Sequence, residues 1–100
     1  MDGTKSYYIY TLKPPRENFT ETITSQEELI VGSHFNYLKN LLDEGKLIMA
    51  ARTYNAKFGI VIFEAETENE AQEIMKNDPA IVNKVFTAEL NSLHIALIRP

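Results

Sequence analysis

One amphipathic run limits how this chain can fold. Thr24-Ser25-Gln26-Glu27 has the pattern of a capping box, in which the Thr24 hydroxyl accepts from the Glu27 amide and the Glu27 carboxylate accepts from the Thr24 amide. At about 100° per residue, Ile30, Val31, His34, Phe35, Tyr37, Leu38, Leu41 and Leu42 fall on one arc, and Asn36, Lys39, Asn40 and Asp43 fall on the other. Gly45 stands where a left-handed residue closes a helix. The spacing predicts a helix from about Gln26 to Glu44, the one long helix the chain can form. Gly32 interrupts it at a cost of roughly 1 kcal/mol relative to alanine. It reads as tolerated near the helix start, or as a mark of close approach by another backbone or a ligand.

A stripe this wide needs an apolar surface to rest on, and the flanking segments provide strands. Tyr7-Tyr8-Ile9-Tyr10-Thr11-Leu12 is β-branched and aromatic, and Pro14-Pro15 stops it. From there to about Thr22 no periodicity appears, so a surface loop is predicted, placed to form a lid or pocket wall. Leu47 to Tyr54 and Ile60 to Ala65 read as two antiparallel strands joined by Asn55-Ala56-Lys57-Phe58-Gly59. Thr67-Glu68-Asn69-Glu70 repeats the capping-box pattern and opens a helix buried through Ala71, Ile74 and Met75. Asp78 precedes Pro79, the pattern of an N-cap for a short turn from Ala80 to Val85. A last strand is predicted from about Glu89 to Ile98, with a bulge near Asn91-Ser92 because Leu90 and Leu93 break alternation.

The order β-α-β-β-α-β predicts an α+β, ferredoxin-like domain spanning residues 1–100, with a four-stranded antiparallel sheet. Two helices cover one sheet face. Yet Ile60-Val61-Ile62-Phe63 is apolar at both parities, as is Leu93-His94-Ile95-Ala96-Leu97-Ile98 apart from His94. The second face therefore calls for a partner, and a second copy packed sheet against sheet is the economical one.

Composition closes several functional classes. With 44% hydrophobic and 24% charged residues the chain has ordinary globular usage. A net charge of -4 with scattered lysines and arginines argues against nucleic acid as a partner. The absence of cysteine excludes thiolate chemistry, and two histidines far apart make a metal site improbable, so neither metal nor cofactor is expected. No apolar leader or membrane-length run is present, and a cytoplasmic setting is the expectation.

His34 is the foremost site candidate: an imidazole in the middle of an apolar stripe faces the layer between helix and sheet, where pockets form. The alternative is a core histidine bonded to a backbone carbonyl and a water. Asp78 can cap its helix and still orient His34, holding one ring N–H and leaving the other nitrogen as a base. Ser33 lies about 100° round the helix from His34, which disfavours a Ser–His pair. His94 reads as a surface or interface residue. Tyr7, Tyr8 and Tyr10 read as strand residues, with Tyr8 the expected ligand-binding hydroxyl.

The stretches Ser33-His34-Phe35-Asn36-Tyr37-Leu38 and Leu42-Asp43-Glu44-Gly45-Lys46-Leu47 resemble the YciI-like (YCII-related) family. Gly59 to Phe63, Asn69-Glu70-Ala71, Asn77-Asp78-Pro79 and Val85-Phe86 extend the resemblance over most of the chain. It implies a homodimer forming a dimeric α+β barrel and a His–Asp active site falling on His34 and Asp78. It also implies chemistry of the kind seen in one relative, a dehydrochlorinase of a chlorinated hydroxyhydroquinone. This chain departs from the pattern at Val31, where relatives often carry Arg, and at Ala51-Arg52, where they favour Gly-Pro. Arg52 is the expected replacement for the lost positive charge in ligand binding. Three functions remain open: a cofactor-free acid–base enzyme on a small ring compound, a non-catalytic binding module, and a structural dimer without a pocket.

Overall fold

A computed structural model describes residues 5–100; residues 1–4, part of the stretch read for a leader, lie outside the described residues. The elements are β1 (Ser6–Lys13), α1 (Phe19–Thr22), α2 (Ser25–Asp43), β2 (Leu47–Arg52), β3 (Gly59–Ala65), α3 (Glu68–Lys76), α4 (Pro79–Val82) and β4 (Thr87–Leu93). The strands form one antiparallel sheet in the order β2-β3-β1-β4, the ferredoxin-like arrangement of an α+β protein. Among the described residues no helix is long and apolar enough to cross a membrane.

Both ends of α2 follow from the residues that code for them. The Thr24 hydroxyl accepts from the Glu27 amide at 3.1 Å, and Glu27 Oε1 accepts from the Thr24 amide at 2.9 Å, closing the capping box. At the other end Gly45 has φ 78°. Its amide donates to the Leu42 carbonyl and that of Lys46 to the Leu41 carbonyl, the paired bonds of a Schellman turn. The second box is half formed. Thr67 Oγ1 accepts from the Glu70 amide, but the Glu70 carboxylate accepts from the Glu66 amide, one residue beyond the position a closed box needs.

The core lies between the helices and one sheet face. Tyr8, Tyr10 and Leu12 from β1 and Val61, Phe63 and Ala65 from β3 meet Leu38 and Leu41 of α2 and Ala71 and Ile74 of α3. The period of two in the strands selects these residues, since each inward position is followed by an outward one. The buried stripe of α2 is narrower than its spacing predicts. Phe35 is 65% and Leu42 53% exposed, because a sheet touches a helix along a line and leaves the flanks of the apolar arc uncovered. A Cβ at Gly32 would meet nothing within 4 Å, so no part of the described chain approaches it closely.

Three further expectations are corrected. The loop after β1 contains the short helix α1, whose Phe19 is buried. The second strand ends at Arg52, where the turn to β3 begins. β4 pairs with β1 in unbroken register from Thr87 to Leu93, with no bulge at Asn91-Ser92, and stops five residues short of Ile98. Leu90 and Leu93 differ in parity because they serve different faces: Leu90 packs on the core, while Leu93 pairs with outward-facing Tyr7. The irregularity of the sheet lies instead between Leu47 and Met49 on the edge strand β2. The outer face carries Tyr7, Ile9, Met49, Ile60, Ile62 and Leu93, apolar and partly or fully exposed in the single chain.

Candidate functional site

Asp78 sits at the junction of α3 and α4, with extended backbone (φ −61°, ψ 125°) favoured by the proline that follows. Its side chain is fully buried, and three elements supply it with donors. The Ala80 amide donates to Oδ1 at 2.9 Å, making Asp78 the N-cap of α4. The Tyr10 hydroxyl, from the middle of β1, donates to Oδ2 at 2.7 Å. His34 Nδ1, from α2, lies 2.8 Å from both carboxylate oxygens. Capping and contact with His34 thus coexist in one carboxylate.

This arrangement fixes the histidine. A carboxylate only accepts, so the proton between the two groups belongs to Nδ1 and the lone pair of the neutral ring belongs to Nε2. No described residue hydrogen-bonds Nε2. Burial, and then the negative charge of Asp78, push the Tyr10 phenol far above its ordinary value, which keeps Tyr10 a donor throughout the working range. Burial likewise raises Tyr37 to about 12, with Asp78 and Glu44 adding to the effect. Its hydroxyl donates to the Ile74 carbonyl at 2.6 Å and ties α2 to α3. The His34 ring stands edge-on to Phe86 at 5.7 Å, and Phe86 in turn meets Phe19 at 5.5 Å.

His34 lines a cavity of about 380 Å³ between α2, the sheet and the loop after β1. Leu12, Val31, Leu38, Val61 and Phe86 wall it, and Phe19, Thr20 and Ile23 make the predicted loop one of its sides. Val31 gives an apolar wall where the resemblance would put a guanidinium. Arg52 lines the cavity from an exposed position, with Nη1 donating to the carbonyls of Thr53 at 3.1 Å and Tyr54 at 3.4 Å. Tyr8 does not line it. That residue is buried against Phe63, ring centroids 6.0 Å apart, so the hydroxyl at the site belongs to Tyr10 and not to Tyr8. Both share one strand parity with Leu12, and only depth along the strand separates them. His94 is exposed beyond the end of β4.

Sequence reasoning also missed what holds the loop wall. Arg16 donates from Nη1 and Nη2 to both Glu27 oxygens, at 2.9 and 2.7 Å, and from Nε and Nη2 to Thr22, with its guanidinium 5.2 Å from the Phe19 ring. The Arg16 hydrogen bonds, helped by the Thr24 amide, hold the Glu27 carboxyl at about 2, down from 4.5. Because the folded-state value is depressed, the stabilisation is complete above about 4.5 and is lost as pH falls from there toward 2. Thermal melts of wild type and Glu27→Gln are therefore expected to differ at neutral pH and to converge across that window. A gap that stays constant down to pH 2 contradicts this.

A family model described as the YCII-related domain matches residues 8–89, a span that includes His34 and Asp78. No curated protein matches the chain. Among solved structures, the chain is similar to the 5-chloro-2-hydroxyhydroquinone dehydrochlorinase TftG of Burkholderia phenoliruptrix AC1100, solved with 2,5-dihydroxybenzoquinone. The TM-score is 0.63 at 16% identity, covering 87% of this chain and 93% of that one. It is also similar to a dimeric ferredoxin-like protein from an uncultured marine organism, with a TM-score of 0.50 at 17% identity over 99% of this chain and 97% of that one. These two likenesses are of fold. The match to the family model spans most of the sequence, and the chain belongs to the YCII-related domain family.

Proposed function

We propose that this protein is a cytoplasmic, cofactor-free acid–base enzyme of lyase, isomerase or hydrolase type acting on a small organic ring compound. The observation that carries the reading is His34, held at Nδ1 by the buried Asp78 carboxylate while its ring lines the cavity. Nε2 takes a proton from the bound ring compound, or in hydrolysis from the attacking water, and the imidazolium that forms is stabilised by Asp78 across the Nδ1 bond. The same proton is then returned to a leaving or rearranged position. Tyr10 and the Ala80 amide hold the carboxylate so that ring orientation is fixed before the ligand arrives. In this reading Arg52, which lines the cavity, meets a negative charge on the ligand. That TftG acts on a hydroxylated, chlorinated ring supports the choice of substrate class.

Positioned acid–base groups contribute roughly 10²–10⁴-fold to rate. A screen of phenols and lactones with wild type and His34→Gln is expected to find a turnover that falls by about that factor in the variant. Turnover that His34→Gln leaves unchanged sinks the proposal. Val31 favours a second reading, since an apolar wall without a built-in cation suits retention of a ligand better than stabilisation of an anion. In that reading His34 hydrogen-bonds a metabolite without turnover, and the screen returns binding alone.

We further propose that two copies pack through the outer sheet face as a dimeric α+β barrel. The apolar residues Ile9, Ile60, Ile62 and Leu93 on that face support this, as does the dimeric state of the marine neighbour. Sedimentation at micromolar concentration is expected to give a dimer for wild type and a folded monomer for Ile62→Asp. A monomeric wild type contradicts the pairing.

A further inference from the structure

The cavity beside His34 has very little capacity for hydrogen bonding. Of the described side chains that line it, only those of Thr20, His34 and Arg52 are polar. Thr20 is exposed on α1, and the exposed Arg52 guanidinium already donates to two carbonyls of its own turn. The remaining polar group is the His34 ring, whose Nδ1 is taken by Asp78, leaving Nε2. Because Asp78 holds the proton on Nδ1, that nitrogen is an acceptor in the neutral ring and calls for a donor on the ligand. Phe19 and Phe86, packed edge to face at 5.5 Å, give one side an aromatic wall suited to a flat ring. Leu12, Val31 and Val61 give the rest an aliphatic surface.

From this we infer that the cavity takes a planar, largely apolar ring bearing one hydroxyl, which donates to His34 Nε2, and discriminates against polyoxygenated rings. The inference rests on the acid–base reading of His34 and narrows its substrate class. A second hydroxyl or a carbonyl turned toward the aliphatic and aromatic walls, away from Thr20 and Arg52, finds no side-chain partner, and each such group weakens binding by roughly ten-fold. Capping the single hydroxyl as a methyl ether removes the donor and leaves the acceptor unpaired. The selected class is thus distinct from the quinone bound by the TftG neighbour, which carries four oxygens on one ring.

Titration of the full chain with 2-naphthol, 2-methoxynaphthalene, 2,7-dihydroxynaphthalene and 2,5-dihydroxybenzoquinone tests this, read by amide and imidazole NMR shifts. The expected result is that 2-naphthol binds about ten-fold more tightly than its methyl ether and the diol, and more tightly still than the quinone, and that it moves the His34 Nε2 resonance strongly while the methyl ether does not. His34→Phe is expected to lose that preference, binding 2-naphthol and its methyl ether within about two-fold of each other. If the variant does not fold, the wild-type Nε2 shift decides. The quinone or the diol binding as tightly as 2-naphthol overturns the inference. If that binding still moves Nε2, the acid–base reading of His34 survives without it. A preference for 2-naphthol that leaves Nε2 unmoved overturns both. Absence of binding by every probe up to its solubility limit overturns the inference as well.

Discussion

Asp78→Ala is expected to lower the free energy of unfolding by about 3–5 kcal/mol, the range for removing one partner of a buried charged network. The substitution strands the Tyr10 hydroxyl, the His34 Nδ1–H and the Ala80 amide together, and each unpaired buried donor costs about 1–3 kcal/mol before relaxation. In a domain of this size that corresponds to a fall in Tm of roughly 15–30 °C. Tyr10→Phe removes one donor and leaves the others paired, so its cost is expected near 1–2 kcal/mol. Urea melts of the two variants check both the size and the order. A loss below about 1 kcal/mol for Asp78→Ala would mean that the carboxylate is not the shared acceptor of three elements.

Phe63→Ala is the second large effect expected, at about 3–5 kcal/mol. The Phe63 ring is fully buried on β3 and touches both tyrosines of the inner face, at 6.0 Å from Tyr8 and 5.8 Å from Tyr10. Truncation leaves a void where neighbours on a four-stranded sheet have little freedom to collapse. The consequence reaches the site, because Tyr10 packs edge-on against Phe63 and its hydroxyl fixes Asp78 Oδ2. The variant is therefore expected to melt earlier and also to show a broadened His34 ring resonance at temperatures where it is still folded. A variant as stable as wild type would place the core elsewhere.

The parts of the fold that were legible in the sequence are those with a local code. Thr24, Glu27 and Gly45 mark the ends of α2 through backbone groups within four residues, and the structure forms each bond they predict. Strands β1 and β3 followed from β-branched and aromatic runs. What failed depended on partners distant in sequence. The four residues of α1 are too few for a period, and Phe19 is buried because the fold brings Phe86 to it. Leu90 and Leu93 looked out of register under the assumption that both face one layer, when each faces a different one. Phe35 and Leu42 belong to the apolar arc by angle, but a sheet covers only part of that arc.

The site divides in the same way. Periodicity put His34 toward the sheet, and the Asp-Pro pair marked Asp78 as a cap, but 44 residues separate the two and no pattern gives their distance. The family resemblance supplied the pairing, and the structure places their atoms 2.8 Å apart. Tyr10 was hidden among three tyrosines whose parity alone cannot rank them. Arg16 falls in a stretch without periodicity that reads as a surface loop, and its partner Glu27 already has a role in the capping box.

Asp78 fixes the proton of His34 on Nδ1 and leaves Nε2 as the acceptor of the site. Long-range ¹H–¹⁵N correlation of the neutral His34 ring measures this directly. The predicted spectrum has a protonated, pyrrole-like Nδ1 and an unprotonated, pyridine-like Nε2 in wild type, with the preference lost in Asp78→Asn. A wild-type ring that carries its proton on Nε2, or that averages both tautomers as an exposed histidine does, would contradict it.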